Sequence, residues 1–178
     1  MNSISTSKSA SVKKTALLAI MIVALLCTAS TFKADFSGQW SFDPIKSNMS
    51  ESGMMAPVKM MVTQEKSAIV IQRISRNQQN ENMIVTDNIS FDGKETEGTG
   101  FANSSRRSSM AWETSDAFKL RININGTTDN GAFNVALVEK WSLSADGNIL
   151  TIDRESNGSR GLIITKHVYN REMLVSMK

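Results

Sequence analysis

The sequence predicts an all-β domain, an antiparallel up-and-down meander of about 8–10 strands closed into a barrel. Three observations predict it. Apolar and polar residues alternate at period two through most of the chain after residue 35. Tight-turn pairs such as Asp92-Gly93 and Asp146-Gly147 interrupt the alternation. No stretch shows the apolar stripe of an amphipathic helix of ordinary length. An open sheet of this size would expose two edges and a wide apolar face, and closure removes both. A two-sheet sandwich shares the periodicity and remains the competing architecture.

Asp35 to Phe42 opens the domain as a strand, with Phe36, Trp40 and Phe42 at even spacing, and Pro44 stops it. Residues 43–56 read as a broken polar loop. From Pro57 a second strand alternates Val58, Met60 and Val62 against Lys59, Met61 and Thr63. Glu65-Lys66 turns the chain into Ser67–Ile74, and Arg76–Asn82 is a polar loop. Met83–Phe91 turns at Asp92-Gly93 into Lys94–Phe101, and Asn103–Ser105 links to Arg106–Glu113. A turn at Thr114-Ser115-Asp116 sets Trp112 opposite Phe118 and Met110 opposite Leu120. Phe118–Asn125 alternates almost without fault, and a loop is expected from Asn125-Gly126 to Asn130-Gly131. Ser156–Gly161 turns into Leu162–Arg171, and the tail 172–178 reads as a short extra strand or a loose end.

The stretch from Phe133 to Arg154 fixes the register. Phe133, Val135, Leu137, Trp141 and Leu143 share one face. With Asp146-Gly147 at the loop centre, Leu143 faces Leu150, Trp141 faces Ile152 and Glu139 faces Arg154. On the other side Lys140 meets Asp153 and Ser142 meets Thr151.

Residues 1–30 read as a secretory signal: Lys8, Lys13 and Lys14, then the apolar run Ala16 to Leu26, then Thr28, Ala29 and Ser30. The run falls short of the ~20 residues of a membrane span. Cleavage is expected after Ala29 or Ser30, with Ala34 as a second candidate, giving a periplasmic or extracellular domain from residue 35 to 178. An uncleaved anchor is the bland alternative. Cys27 is the sole cysteine, and Leu26 before it argues against a lipoprotein anchor. The expected mature chain has no thiol for a disulfide, a thiolate metal site or a nucleophile. Its size is enough to bury a core without disulfides.

The formal charge of +3 belongs to the leader. Lys8, Lys13, Lys14 and Lys33 precede every acidic residue; without these four of the 20 basic residues, 16 face 17 acidic ones, a formal charge of −1. That balance offers no footprint for nucleic acid. Oligomeric state is not legible. Asn-x-Ser/Thr acceptors at Asn48, Asn88, Asn103, Asn125 and Asn157 matter only in a glycosylating host.

At Gly38-Gln39-Trp40 the chain meets a G-x-W on the first strand of an exported meander, which resembles the lipocalins and the wider calycin superfamily. DFSGQWSFDPIKS and WSLSADGNILTID also resemble a group of small bacterial exported proteins with lipocalin-like barrels. The resemblance implies that Trp40, beside Gly38, packs at a closed barrel end with Arg171 lying across it, Lys166 being the reserve. Ten strands depart from typical lipocalins. Fatty-acid-binding proteins have ten, but place a helical pair after strand one, where 43–56 reads as a broken loop.

Ionisable residues on apolar faces are the most informative signal. Glu139 lies among Leu137 and Trp141; Arg154 continues the Leu150/Ile152 face, Arg73 the Ile69/Ile71 face and Arg106 the Met110/Trp112 face. Charges turned inward are costly unless paired. Either they orient the polar head of an amphipathic ligand, often a carboxylate, or Glu139 and Arg154 form a half-solvated pair near the rim. The expected function is non-covalent binding or carriage of a small apolar or amphipathic molecule. Trp112, Leu120, Ile122, Leu137, Trp141 and Ile152 would form the cavity wall, with Glu139 and Arg154 as polar contacts. The alternative is an envelope interaction module whose barrel is filled by its own side chains.

Met49, Met54, Met55, Met60 and Met61 suggest copper as a lesser possibility, since thioethers hold Cu(I); adaptable packing explains them more simply. His167 is the lone histidine. No catalytic, metal or cofactor motif can be read, and a calycin-type enzyme would need a cleft where His167 meets a carboxylate.

Overall fold

A computed structural model describes residues 32–49, 56–77, 79–100, 103–129 and 131–172. The leader with Cys27, Met54, Met55 and the tail beyond Glu172 lie outside the described residues. All ten strands belong to one compact unit, Lys33–Lys178. They are β1 (Gly38–Phe42), β2 (Lys59–Gln64), β3 (Ala68–Arg76), β4 (Asn82–Ser90), β5 (Thr96–Thr99), β6 (Ser105–Trp112), β7 (Ala117–Thr128), β8 (Gly131–Leu143), β9 (Ile149–Gly158) and β10 (Gly161–Arg171). The described residues hold no α-helix.

Every neighbouring pair is antiparallel, and the order is β4-β3-β2-β1-β10-β9-β8-β7-β6-β5. The meander rolls up because β1 pairs with β10, Trp40 opposite Arg171 and Phe42 opposite Tyr169. One ten-stranded sheet results, not a sandwich. Its two ends, β4 and β5, are neighbours in sequence yet do not pair, so the barrel is closed along all but this seam.

The hairpin register is the one that the alternation requires. Leu143 pairs with Leu150, Trp141 with Ile152, Glu139 with Arg154 and Lys140 with Asp153. Trp112 faces Phe118 and Met110 faces Leu120. Gly147 takes φ +70° in the β8–β9 turn, where Gly147 N donates to Ser144 O at 2.8 Å.

The loop expected from Asn125 to Gly131 is corrected. β7 continues to Thr128, with Asn125 opposite Asn134 and Gly126 opposite Phe133. Gly126 marks a close approach rather than a turn: a Cβ there would lie 2.6 Å from the Phe133 ring. β5 keeps only Thr96–Thr99 of the strand expected over Lys94–Phe101, whose last residue lies outside the described residues, and Val58 precedes β2 and is exposed.

The core fills one end of the barrel. Phe36, Trp40, Phe118, Trp141, Ile69, Ile89, Leu120 and Leu150 have no exposed surface. Phe118 stacks on Trp141 at 5.3 Å, and Phe36 meets Phe118 edge-on at 4.8 Å. The segment before β1 seals this end. Ala34 N donates to Ser115 O, the Gln64 amide donates to Ala34 O, and Trp40 Nε1 donates to Phe36 O at 3.0 Å. Arg171 lies over the Trp40 ring, 4.3 Å from its centroid, and donates to the carbonyls of Ser37 and Gly147. Gly38 leaves room for it: at φ +141°, a Cβ would sit 2.7 Å from Arg171 Nη1.

Candidate ligand chamber

Toward the other end the inward positions change character. Period two carries Ile69 and Ile71 on to Arg73, Met110 and Ser108 on to Arg106, Trp141 on to Glu139, and Ile152 on to Arg154. On β4 it puts Asp87 inward beside Ile89, and on β10 it puts Thr165, His167 and Tyr169 inward. Six strands thus send ionisable side chains into one space.

The groups form a connected network. Arg106 clamps Asp87 with two hydrogen bonds, Nε to Oδ1 at 2.5 Å and Nη2 to Oδ2 at 3.0 Å, and Ser108 Oγ adds a third at 3.2 Å. Arg73 Nη2 donates to Glu139 Oε2 at 2.8 Å, and Trp141 Nε1 donates to the same oxygen at 3.0 Å. Arg73 Nε also lies 3.6 Å from Asp87 Oδ2, linking the two carboxylates through one guanidinium. Arg154 Nε stands 3.8 Å from Glu139 Oε1.

The half-solvated rim pair expected between Glu139 and Arg154 is therefore corrected. Glu139 is 4% exposed, and its hydrogen-bonded partner is Arg73, from the far side of the barrel.

The environment sets the protonation states. Burial pushes Glu139 up, but Arg73 and Arg154 outweigh it and hold the carboxyl below its usual range. Asp87 behaves alike: burial opposes ionisation, and the Arg106 hydrogen bonds and Arg73 overcome it. Burial, then Arg154, holds His167 down at about 4, so its imidazole is neutral near pH 7. Burial pushes the Tyr169 phenol up, keeping its proton in place.

The network borders a cavity of about 160 Å³. Arg73, Arg106, Glu139, Arg154, His167 and Tyr169 form its polar wall; Met60, Val85, Ile124, Leu137 and Ile152 form its apolar wall. Three buried donors there have no hydrogen-bond acceptor: Arg73 Nε, Arg154 Nε and the Tyr169 hydroxyl. Buried donors are rarely left so. A larger hollow of about 570 Å³ beside Gly38, Met61 and Arg171 is on the outer surface and gathers no such cluster.

The sequence-derived wall residues divide. Leu137, Glu139, Ile152 and Arg154 line the cavity. Leu120, Ile122 and Trp141 are buried in the packed end, and Trp112 packs there against Phe36, Phe91 and Phe118. Asp87 and Tyr169 were not singled out from sequence, although alternation through Val85, Asp87 and Ile89 carries the signal for the first.

His167 Nε2 lies 3.0 Å from Thr165 Oγ1, the hydrogen bond it makes in place of one to a carboxylate. Met60 is buried and Met61 exposed, so they point to opposite faces of β2. Among the described residues no group of three His, Cys, Asp or Glu side chains is arranged to hold a metal.

A scan of protein-family models and a search of curated proteins give no match. Among solved structures, the chain is similar to the zebrafish ileal bile acid-binding protein complexed with cholic acid. The TM-score is 0.50 at 13% identity, over 77% of this chain and 98% of that one. At such identity the likeness speaks of the fold. The shared fold is a ten-stranded antiparallel barrel, closed in this chain along all but one seam.

Proposed function

We propose that this protein binds a small molecule non-covalently inside its barrel, with a polar group of the ligand meeting Arg154 and Tyr169 and its apolar part resting on Leu137, Ile152 and Ile124. The observation that carries the reading is the set of three unpartnered buried donors around a cavity with one polar and one apolar wall. A side-chain-filled barrel has no use for such donors, whose burial without acceptors costs free energy. The similar barrel that holds cholic acid supports a ligand-binding use of the architecture. The basic, apolar, small-residue order of residues 1–30 supports an exported carrier.

Native mass spectrometry of protein purified from cells, before and after solvent extraction, tests the reading. A mass excess removed by extraction is expected. No excess, with thermal stability indifferent to added ligands, would favour the interaction module filled at its packed end by Phe36, Trp40, Phe118 and Trp141.

A further inference from the structure

The charges around the chamber do not balance. Among the described residues, Arg73, Arg106 and Arg154 face Asp87 and Glu139, which leaves one positive charge in excess. Among the described residues no other cation or carboxylate lines the cavity, and the remaining ionisable neighbours, His167 and Tyr169, are neutral near pH 7. Two of the three arginines are spoken for: Arg106 holds Asp87 in a bidentate clamp, and Arg73 holds Glu139. The excess therefore resides at Arg154, whose nearest carboxylate oxygen is beyond hydrogen-bond reach at 3.8 Å. Its Nε and the wholly buried Tyr169 hydroxyl are two of the donors without an acceptor.

The Arg154 side chain is 16% exposed, so its charge is largely though not wholly withdrawn from water, and one anion of unit charge compensates it. A neutral ligand would leave the excess in place. A dianion would reverse its sign and bring the second charge against Glu139. The space is comparably restrictive. A chamber of about 160 Å³ is close to the ~150 Å³ of a cavity that takes up benzene, and well below the ~300–1,000 Å³ of drug-sized ligand pockets.

We infer that the chamber is selective for a compact monoanion, with a charged group the size of a carboxylate and a body of benzene scale, and that Arg154 sets this charge preference. The inference rests on the ligand-binding reading above and narrows it to a class. Selection comes from the count of charges enclosed, so changing the count changes the preferred ligand. Arg154 is the residue to change, because its Nε has no acceptor and its loss leaves both carboxylates with a guanidinium partner.

The test is calorimetric titration of the extracted full-length protein with benzoate, its neutral isostere benzamide, the dianion terephthalate and the long-chain monoanion laurate. Benzoate is expected to bind at least tenfold more tightly than each of the others. Arg154→Gln, which brings the enclosed charge to zero, is expected to lose that preference and take benzamide as well as benzoate. Benzamide, terephthalate or laurate binding within threefold of benzoate would overturn the inference, as would an unchanged preference in Arg154→Gln. If no probe binds while native mass spectrometry shows a bound neutral molecule, the inference falls and the ligand-binding reading stands. No probe binding and no mass excess overturn both.

Discussion

Asp87 on β4 and Arg106 on β6 join the barrel across its unpaired seam, the carboxylate gripped by Nε at 2.5 Å and Nη2 at 3.0 Å. Backbone hydrogen bonds hold every other neighbouring pair of strands. Here closure falls to side chains, with β5 exposed and only four residues long between the partners. The clamp is also the outer member of the chamber network, so one buried carboxylate serves both the closure of the sheet and the electrostatics of the cavity.

That dual role makes the pair costly to break singly. Arg106→Leu removes both charge-assisted hydrogen bonds to buried Asp87 and leaves it with the Ser108 hydroxyl and the Arg73 guanidinium at 3.6 Å, and the expected loss is about 3 kcal/mol. Asp87→Leu with Arg106→Leu removes both charges and is expected to cost less than the two single changes added. A urea-unfolding double-mutant cycle checks this. Additive single losses would show that the pair does not couple across the seam.

The contrast between local and distant partners explains what could be read from sequence. Glu139 opposite Arg154 follows from a turn at Asp146-Gly147 and period two, because a hairpin ties register to nearby residues. The hydrogen bond from Arg73 to Glu139 spans 66 residues and the width of the barrel, and no turn chemistry encodes it. Gly126 misled for a related reason. Glycine in sequence signals either a turn or a close approach, and the Phe133 ring that settles the choice comes from the next strand. Arg73, Arg106, Glu139 and Arg154 were legible from alternation and Asp87 was missed, whereas the pairing of all five depended on barrel curvature. Trp112, Leu120 and Ile122 show the same limit: alternation turned them inward but did not say which end is packed and which is hollow.

The closed end depends on a fork rather than a charge. Arg171 covers Trp40 and reaches the carbonyls of Ser37 and Gly147 at once. Arg171→Lys keeps the charge but cannot span both acceptors, and is expected to cost about 1–3 kcal/mol. Gly38→Ala should be comparably harmful, since its Cβ would collide with Nη1 at 2.7 Å in a backbone conformation that side chains resist. Thermal denaturation of both variants reads the effect; wild-type stability in Arg171→Lys would reduce the fork to a surface contact.

Trp141 offers an optical report on the chamber. Its Nε1 donates to Glu139 Oε2 at 3.0 Å, and the Arg73 guanidinium lies 5.5 Å from its ring. Glu139→Gln takes away a carboxylate that Arg73, Arg154 and Trp141 all address, and a loss of about 3–5 kcal/mol is expected. In folded protein the tryptophan emission should shift, because a charged acceptor on the indole is replaced by a neutral amide. Trp141→Phe assigns the signal; a shift that persists in the double variant would place its origin at Trp40 or Trp112.

The pH dependence of stability should fall in two stages, the first belonging to His167 alone. Burial and Arg154 hold its folded value at about 4, against about 6.5 for an unperturbed imidazole. A group depressed on folding contributes stability that is present above its unfolded value and lost as pH falls toward the folded one. Roughly 3 kcal/mol should therefore disappear between about pH 6.5 and pH 4. The sequence contains one histidine, so no other imidazole can produce this step. Asp87 and Glu139 are also depressed, but from carboxylate values near 4, so their contribution is lost only at lower pH. Urea unfolding at pH 7.5, 5.5 and 4.5 measures the first stage, and His167→Gln should flatten it while leaving the acid limb intact. A slope unchanged by that substitution would mean that water reaches the imidazole and that the inner wall of β10 is wetter than its burial indicates.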